Sequence, residues 1–347
     1  MKNNNLVLVT GGNGFLAMHI IKQLLTAGYP VRATLRRLNR QDQVKTTLAN
    51  TDTPNLNQLS FVQADLTKDA DWPATMTDVT YVMSVAAPVF VNGNQGSEAM
   101  AQVATEGTLR IIKAAEKAGV KRVVMTANFG AVGFSNKDPK RVTTEADWTD
   151  PDEPGLSLYE RSKLIAEKQA WDYLKKTNSS LEFTTVNPGA MLGPSLDNHV
   201  SGSFGIVKNL LDGSLKMVPN IHVNVVDVRD VADIHVRAMT TPEANGQRFL
   251  AIEDGDALSM MDMVAVIRKS RPELAAKLPT KTLPDFVLKL GALFNNSAKE
   301  GRLMLSLSPH VSNQKAKQVL GWKPISSSKT AILKAVDSLI AAGEIKA

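Results

Sequence analysis

Tyr159 and Lys163 stand four residues apart in Tyr159-Glu-Arg-Ser-Lys163, which on a helix puts a phenol and an ammonium on one face. The pair suits reduction of a carbonyl group, which needs a proton delivered to oxygen as a hydride reaches carbon. A phenol with a pKa of about 10 keeps its proton at neutral pH but yields it poorly. A neighbouring cation stabilises the phenolate and brings the acid closer to the working pH. Tyr-x-x-x-Lys occurs by chance in many helices, so its weight depends on where the helix stands.

A second constellation lies near the N-terminus. Thr10-Gly11-Gly12-Asn13-Gly14-Phe15-Leu16-Ala17 follows the apolar run Leu6–Val9 and opens a helical pattern marked by Leu16, Ile20, Ile21, Leu24 and Leu25. A glycine-rich turn in that context is a dinucleotide fingerprint. Gly11 permits the tight turn, Gly14 lets a pyrophosphate approach the backbone, and Ala17 allows close packing of helix on strand. The N–H groups at the helix start, Phe15 and Leu16 among them, then hold the anion.

The end of the second strand bears on which dinucleotide. An NAD site offers a carboxylate there to the ribose 2′-hydroxyl. Here the strand ends Leu35-Arg36-Arg37, with no acidic residue before Asp42. Guanidinium groups suit a 2′-phosphate, so NADP is expected, contacted by Arg36 and Arg40. Asp65-Leu66 follows the third strand, where the carboxylate is placed to accept from an adenine amine.

These residues need a scaffold, and the pattern supplies one. Leu6–Val9, Val31–Leu35, Leu59–Val62, Val79–Met83, Arg122–Met125 and Glu182–Val186 read as strands alternating with helical periodicity. Several are continuous apolar runs, as in parallel strands covered on both faces. The fold expected is α/β, a doubly wound parallel Rossmann-type sheet. After Pro188 the alternation breaks down. Helices are expected near Ile206–Leu211, Val231–Met239, Ser259–Lys269 and Ser328–Ala342, with strands at Val223–Val226 and Arg248–Ile252. The division expected is a cofactor domain over 1–187 plus about 222–250, and a smaller, mostly α substrate lobe over about 188–221 and 251–347.

Composition narrows the classes. The chain has 347 residues, 43% hydrophobic and 21% charged, and no cysteine, which rules out disulfides and thiolate metal sites. The net charge of +6 is scattered over helical faces rather than clustered with aromatics, so no nucleic-acid partner is expected. No signal-peptide pattern and no uncharged run long enough to span a membrane appears, which points to a cytoplasmic protein. The five histidines show no metal-ligand spacing, and no Gly-x-Ser-x-Gly elbow is present, so neither a metal site nor a serine hydrolase is expected.

Taken together, Thr10–Ala17, Asp65-Leu66, Val85-Ala86-Ala87-Pro88, the Tyr159/Lys163 pair and Asn187-Pro188-Gly189-Ala-Met-Leu-Gly193-Pro194 resemble the extended short-chain dehydrogenases/reductases. Val31-Arg-Ala-Thr-Leu-Arg36, Asp227-Val-Arg-Asp230-Val-Ala and Leu320-Gly-Trp-Lys-Pro324 make the chain similar to one branch, that of dihydroflavonol reductases, cinnamoyl-CoA reductases and microbial aldehyde and ketone reductases. The resemblance covers nearly the whole chain. It implies an NADPH-linked carbonyl reduction, a cofactor site that also takes in Ala86, Ala87, Thr126 and Pro188, and Lys163 reaching the cofactor ribose.

One position departs from the branch. The fifth strand there is followed by Thr-Ser-Ser, whose second serine meets the substrate carbonyl; here the segment reads Thr126-Ala127-Asn128. A carboxamide still offers an N–H donor, so Asn128 is expected to keep a polarising role with altered geometry. Phe90, Phe129, Met191, Leu192 and Phe204 fall where the substrate cleft is expected and suggest a small apolar or aromatic carbonyl compound. Two alternatives stay open: a nucleotide-sugar epimerase or dehydratase, and a non-catalytic NADP-binding regulator. The chain is expected as a monomer or a homodimer.

Overall fold

The structure, a computed structural model, describes residues 4–88, 96–197, 200 and 202–346. Seven strands form one parallel sheet: Leu6–Val9 (β1), Val31–Leu35 (β2), Leu59–Gln63 (β3), Val79–Ser84 (β4), Arg122–Thr126 (β5), Glu182–Pro188 (β6) and Arg248–Ala251. They lie in the order β3-β2-β1-β4-β5-β6 with Arg248–Ala251 at the far edge. Chain order therefore reverses between β1 and β4, the position at which doubly wound sheets open a ligand crevice beyond the strand ends.

The apolar strands serve two cores. Val7 and Val9 of β1 join one, and Leu8 joins the other. In β5, Val124 turns to the first core, Val123 and Met125 to the second. Among the described residues six α-helices lie along this part of the chain: Phe15–Thr26 (α1), Gln41–Ala49 (α2), Trp72–Thr75 (α3), Glu98–Lys117 (α4), Gly130–Gly133 (α5) and Leu158–Thr177 (α6). Ile20, Ile21, Leu24 and Leu25 of α1 fill the first core. Ile111, Ile112 and Ala115 of α4 with Ala166 and Ala170 of α6 fill the second.

Beyond β6 the chain forms small ladders and helices. Ala190–Leu192 (β7) pairs in parallel with Val225–Asp227, separate from the main sheet. Of the described strands beyond β6, only Arg248–Ala251 joins the main sheet, pairing with β6 (Phe249 opposite Val186). Gly189 explains the separation: a Cβ there would run into the backbone oxygen of Asn224, and Ala190 N donates to that same oxygen at 2.7 Å. Helices Phe204–Leu211 (α7) and Val228–Thr240 (α8) stand near their expected positions, the latter packing on α1. Met260–Ser270, Asp285–Gly291, Asn296–Ser306, Gln314–Leu320 and Ser328–Ala341 complete a mostly helical C-terminal region. Asp230 of α8 pins its late turn, accepting from Trp322 Nε1 at 3.0 Å and Ile325 N at 2.7 Å. Among the described residues no helix is long and apolar enough to cross a membrane.

Candidate active site

The crevice at the sheet reversal is closed by one hydroxyl. Thr10 Oγ1, at the end of β1, accepts from the N–H groups of both Val85 and Ala86 at 2.9 Å, just past β4. It is fully buried, so its oxygen serves the scaffold. Gly11 turns with φ +69°, a conformation L side chains avoid, and a Cβ there would press on Ala86 at 3.1 Å. Gly12 was not singled out in the sequence, yet it has the tighter fit: a Cβ would stand 2.7 Å from that of Ala33. Thr34 holds this turn, accepting Gly11 N on its hydroxyl at 2.9 Å and Gly12 N on its carbonyl at 2.8 Å. α1 begins at Gly14 with no side-chain cap, which leaves its first N–H groups to a ligand. Phe15 and Leu16 contribute their backbone there while their side chains are buried.

Arg36 and Arg40 are exposed beyond the end of β2. Arg40 Nη1 donates to Gln43 Oε1 at 2.9 Å. Asp65 faces the same corner; its carboxyl is held below the usual range by the Thr67 N–H, then by the Thr67 hydroxyl, and less strongly by the charge of Arg36. Leu66 packs closely on Gly107 of α4, and Ala86 and Ala87 are partly buried at the crevice floor.

Lys163 and Tyr159 lie one turn apart on α6, and the Lys163 ammonium donates to the Thr126 carbonyl at the end of β5 at 2.8 Å. Burial draws the lysine down to about 8 against the opposing carboxylates of Glu167 and Glu160. The tyrosine behaves otherwise than expected. Burial first, and then the neighbouring Glu160 carboxylate, push its phenol up. The Thr126 hydroxyl is engaged separately with His235 Nε2 at 2.8 Å. His235 Nδ1 must donate to the Val231 carbonyl at 2.7 Å, so Nε2 accepts and the hydroxyl donates. Burial lowers this histidine to about 4, which keeps it neutral and structural.

Asn128 is held at three atoms. Its Nδ2 donates to Glu160 Oε2 at 2.7 Å, its Oδ1 accepts from Ala131 N at 3.2 Å, and its main-chain oxygen accepts from Asn187 Nδ2 at 3.1 Å. Asn187 is held by buried Glu167, which also pairs with Arg248 at 2.8 Å. Glu160, Glu167 and Arg248 were not legible as site residues; each reads as an ordinary charged residue until the fold brings it inward. Pro188 accepts Phe129 N on its carbonyl at 2.9 Å, which anchors the same loop to β6.

The aromatic and aliphatic candidates are mostly core. Leu192 and Phe204 are fully buried, Phe204 meeting Phe15 edge-on at 5.2 Å. Phe129 packs against Phe134 at 5.9 Å in a small cluster with Leu250, Ile252 and Leu303. These three side chains fill hydrophobic clusters rather than an open cleft, because each stands where two elements meet. Met191 is partly buried at the margin of the main core. Phe90 lies outside the described residues.

Comparison with known proteins agrees with this architecture. Residues 7–251 match the NAD dependent epimerase/dehydratase family. A putative uncharacterized oxidoreductase of Schizosaccharomyces pombe is 32% identical over 315 residues, 85% of this chain and 92% of that protein. Cinnamoyl-CoA reductase 1 of Petunia hybrida is 34% identical over 282 residues, 80% of each chain. The yeast methylglyoxal/isovaleraldehyde reductase Gre2, solved with NADPH, has the same fold with a TM-score of 0.79, at 24% identity over 98% of this chain and 100% of that one. The reversal point closed by Thr10, the glycine turn and these matches agree: the chain belongs to the NAD dependent epimerase/dehydratase family, among its oxidoreductases.

Proposed function

We propose that this protein is an NADPH-dependent reductase of aldehydes and ketones, with Tyr159 as the proton donor. The observation that carries the reading is the Tyr159/Lys163 pair, one turn apart on α6 and tied through Lys163 to the carbonyl that ends β5. The uncapped start of α1 and the close approach at Gly12 fit a dinucleotide phosphate, and Arg36 and Arg40 fit a 2′-phosphate. The NADPH bound by the yeast reductase of the same fold supports that choice. When bound, the cofactor supplies the hydride.

This chain's residues supply the rest. Tyr159 gives its proton to the carbonyl oxygen as the alkoxide forms, and Lys163 stabilises the phenolate left behind. Asn128 offers Nδ2–H to the same oxygen. The region over about 188–221 and 251–347 recognises the substrate, with Met191 on its apolar side. The arginines at the end of β2 argue against the epimerase reading, and the tyrosine–lysine pair argues against a non-catalytic regulator.

The test is NADPH consumption against a panel of aldehydes and ketones, repeated with NADH and with Tyr159→Phe. Turnover that prefers NADPH and disappears in the variant is expected. NADPH binding without consumption of any carbonyl compound would overturn the reading.

A further inference from the structure

Glu160 has an unused local alternative. Ser157-Leu-Tyr-Glu160 has the spacing of a capping box, in which the glutamate reaches back to the N–H of the capping serine. Ser157 does its half, accepting from Glu160 N at 3.1 Å. Elsewhere in the chain Ser259 and Asp262 complete both halves. On α6 the glutamate instead turns to Asn128, accepting from Nδ2 at 2.7 Å.

The space it occupies is reserved. A Cβ at Gly130 would collide with Glu160 Oε2 and press on Asn128 Oδ1 at 2.8 Å. Gly130 has no positive φ, so its backbone does not call for glycine, and a side chain there would displace the carboxyl beside it. The carboxamide is thus clamped at Oδ1 by Ala131 N and at Nδ2 by Glu160. Its second Nδ2 hydrogen has no partner among the described residues. That hydrogen is the donor a substrate carbonyl needs.

We propose that Glu160 is a positioning residue of the active site, holding the Asn128 carboxamide so that one N–H stays directed to the substrate oxygen. The proposal rests on the reductase reading and adds to it. A serine can rotate its hydroxyl toward its partner, whereas a carboxamide must be oriented as a plane, and the carboxyl of Glu160 sets that plane. The charged and titratable groups around Glu160 are Tyr159 and Lys163 on its own helix and Glu300 from Asn296–Ser306. Burial raises Glu160 to about 7, partly offset by the Asn128 hydrogen bond and by Lys163. Its negative charge would oppose the alkoxide and phenolate that form in the reaction, so a neutral carboxyl serves the positioning role better.

Two measurements test this. In the first, protein labelled with 15N-asparagine is titrated by NMR. The Asn128 side-chain resonance is expected to move with a midpoint near pH 7 in the wild type and to stay still in Glu160→Gln. An unresponsive Asn128 amide in the wild type overturns the proposal, whatever the enzyme's activity. In the second, kcat of carbonyl reduction is measured for Glu160→Ala, Glu160→Gln, Asn128→Ser and the Asn128→Ser/Glu160→Ala double variant. Glu160→Ala should lose about tenfold in kcat, as for one lost hydrogen bond, with the KM for NADPH unmoved. Glu160→Gln, which keeps a carbonyl acceptor, should recover most of that loss. In the Asn128→Ser background the alanine should lose less than about twofold, because no carboxamide remains to orient. An equal loss in both backgrounds marks Glu160 as structural and overturns the proposal. A wild type that consumes no NADPH refutes the reductase reading and the positioning role with it, while the titration still reports on the hydrogen bond.

Discussion

The ammonium of Lys163 is bonded to the carbonyl of Thr126 at 2.8 Å, so the end of β5 and the second turn of α6 are held together by a buried charge. Below about pH 8 the lysine is charged; above it the amine is neutral, because burial has lowered its pKa. Turnover should therefore fall as pH rises through about 8. Tyr159 adds no limb there, since its phenol is pushed up. Lys163→Arg, which stays charged, should lack that fall in whatever activity it keeps. A pH profile of kcat for both proteins checks this, and an unchanged alkaline limb in the arginine variant would count against Lys163 as its source.

Tyr159→Phe removes the proposed acid and little else, since the ring stays. The expected loss in kcat is about a hundredfold or more, with NADPH affinity retained. Steady-state kinetics with fluorescence titration of NADPH separates the two quantities.

Arg36→Ala should weaken NADPH about tenfold or more and leave NADH nearly unchanged, since only the former carries the 2′-phosphate a guanidinium would hold. Dissociation constants for both dinucleotides decide it. Equal weakening of both would place Arg36 outside the 2′-phosphate site.

Gly12→Ala puts a methyl group 2.7 Å from that of Ala33. Overpacking of this kind costs about 1–3 kcal/mol, and here it would also displace the phosphate-facing turn. Ala33→Gly in the same chain removes the opposing methyl and should restore much of the lost Tm and NADPH binding. Thermal unfolding of the single and double variants shows whether the suppression occurs.

Asp230 Oδ2 and Glu253 Oε2 find no hydrogen-bond partner among the described residues, and both carboxyls are buried. A proton held between the two neighbouring carboxyls would satisfy both. Burial, with the nearby acids Asp230 and Asp227 adding to it, raises Glu253 from 4.5 to about 8. A raised carboxyl contributes fully below its ordinary value, loses that contribution as pH climbs, and has lost it above about 8. The Tm should decline between about pH 5 and 8 and level off above that. Glu253→Gln, which can donate an amide proton to Asp230 at any pH, should flatten that decline.

The sheet was readable because strands buried on both faces carry continuous apolar runs, as Leu6–Val9 of β1 and Val123–Met125 of β5 show. The glycine turn and the tyrosine–lysine pair were readable because both are local spacings. The separate ladder of β7 was not, because it depends on Gly189 meeting Asn224, a contact between segments 35 residues apart. Glu160 was hidden for a different reason: its local context suggests a helix cap, and only the approach of Asn128 redirects its carboxyl. Leu192 and Phe204 lie near the expected cleft in sequence but point into the core, a choice of face that short segments do not reveal.

The hydroxyl of Thr10 joins chain positions 75 and 76 residues apart. The glycine turn, the start of α1 and Arg36 are all synthesised well before β4. Until β4 has emerged and docked, however, Val85 and Ala86 are absent and the turn has no floor. Competence to hold a dinucleotide thus arises in one late step of assembly rather than growing with each strand added. A nascent chain ending before β4 would carry every residue of the fingerprint and still have no place for a cofactor.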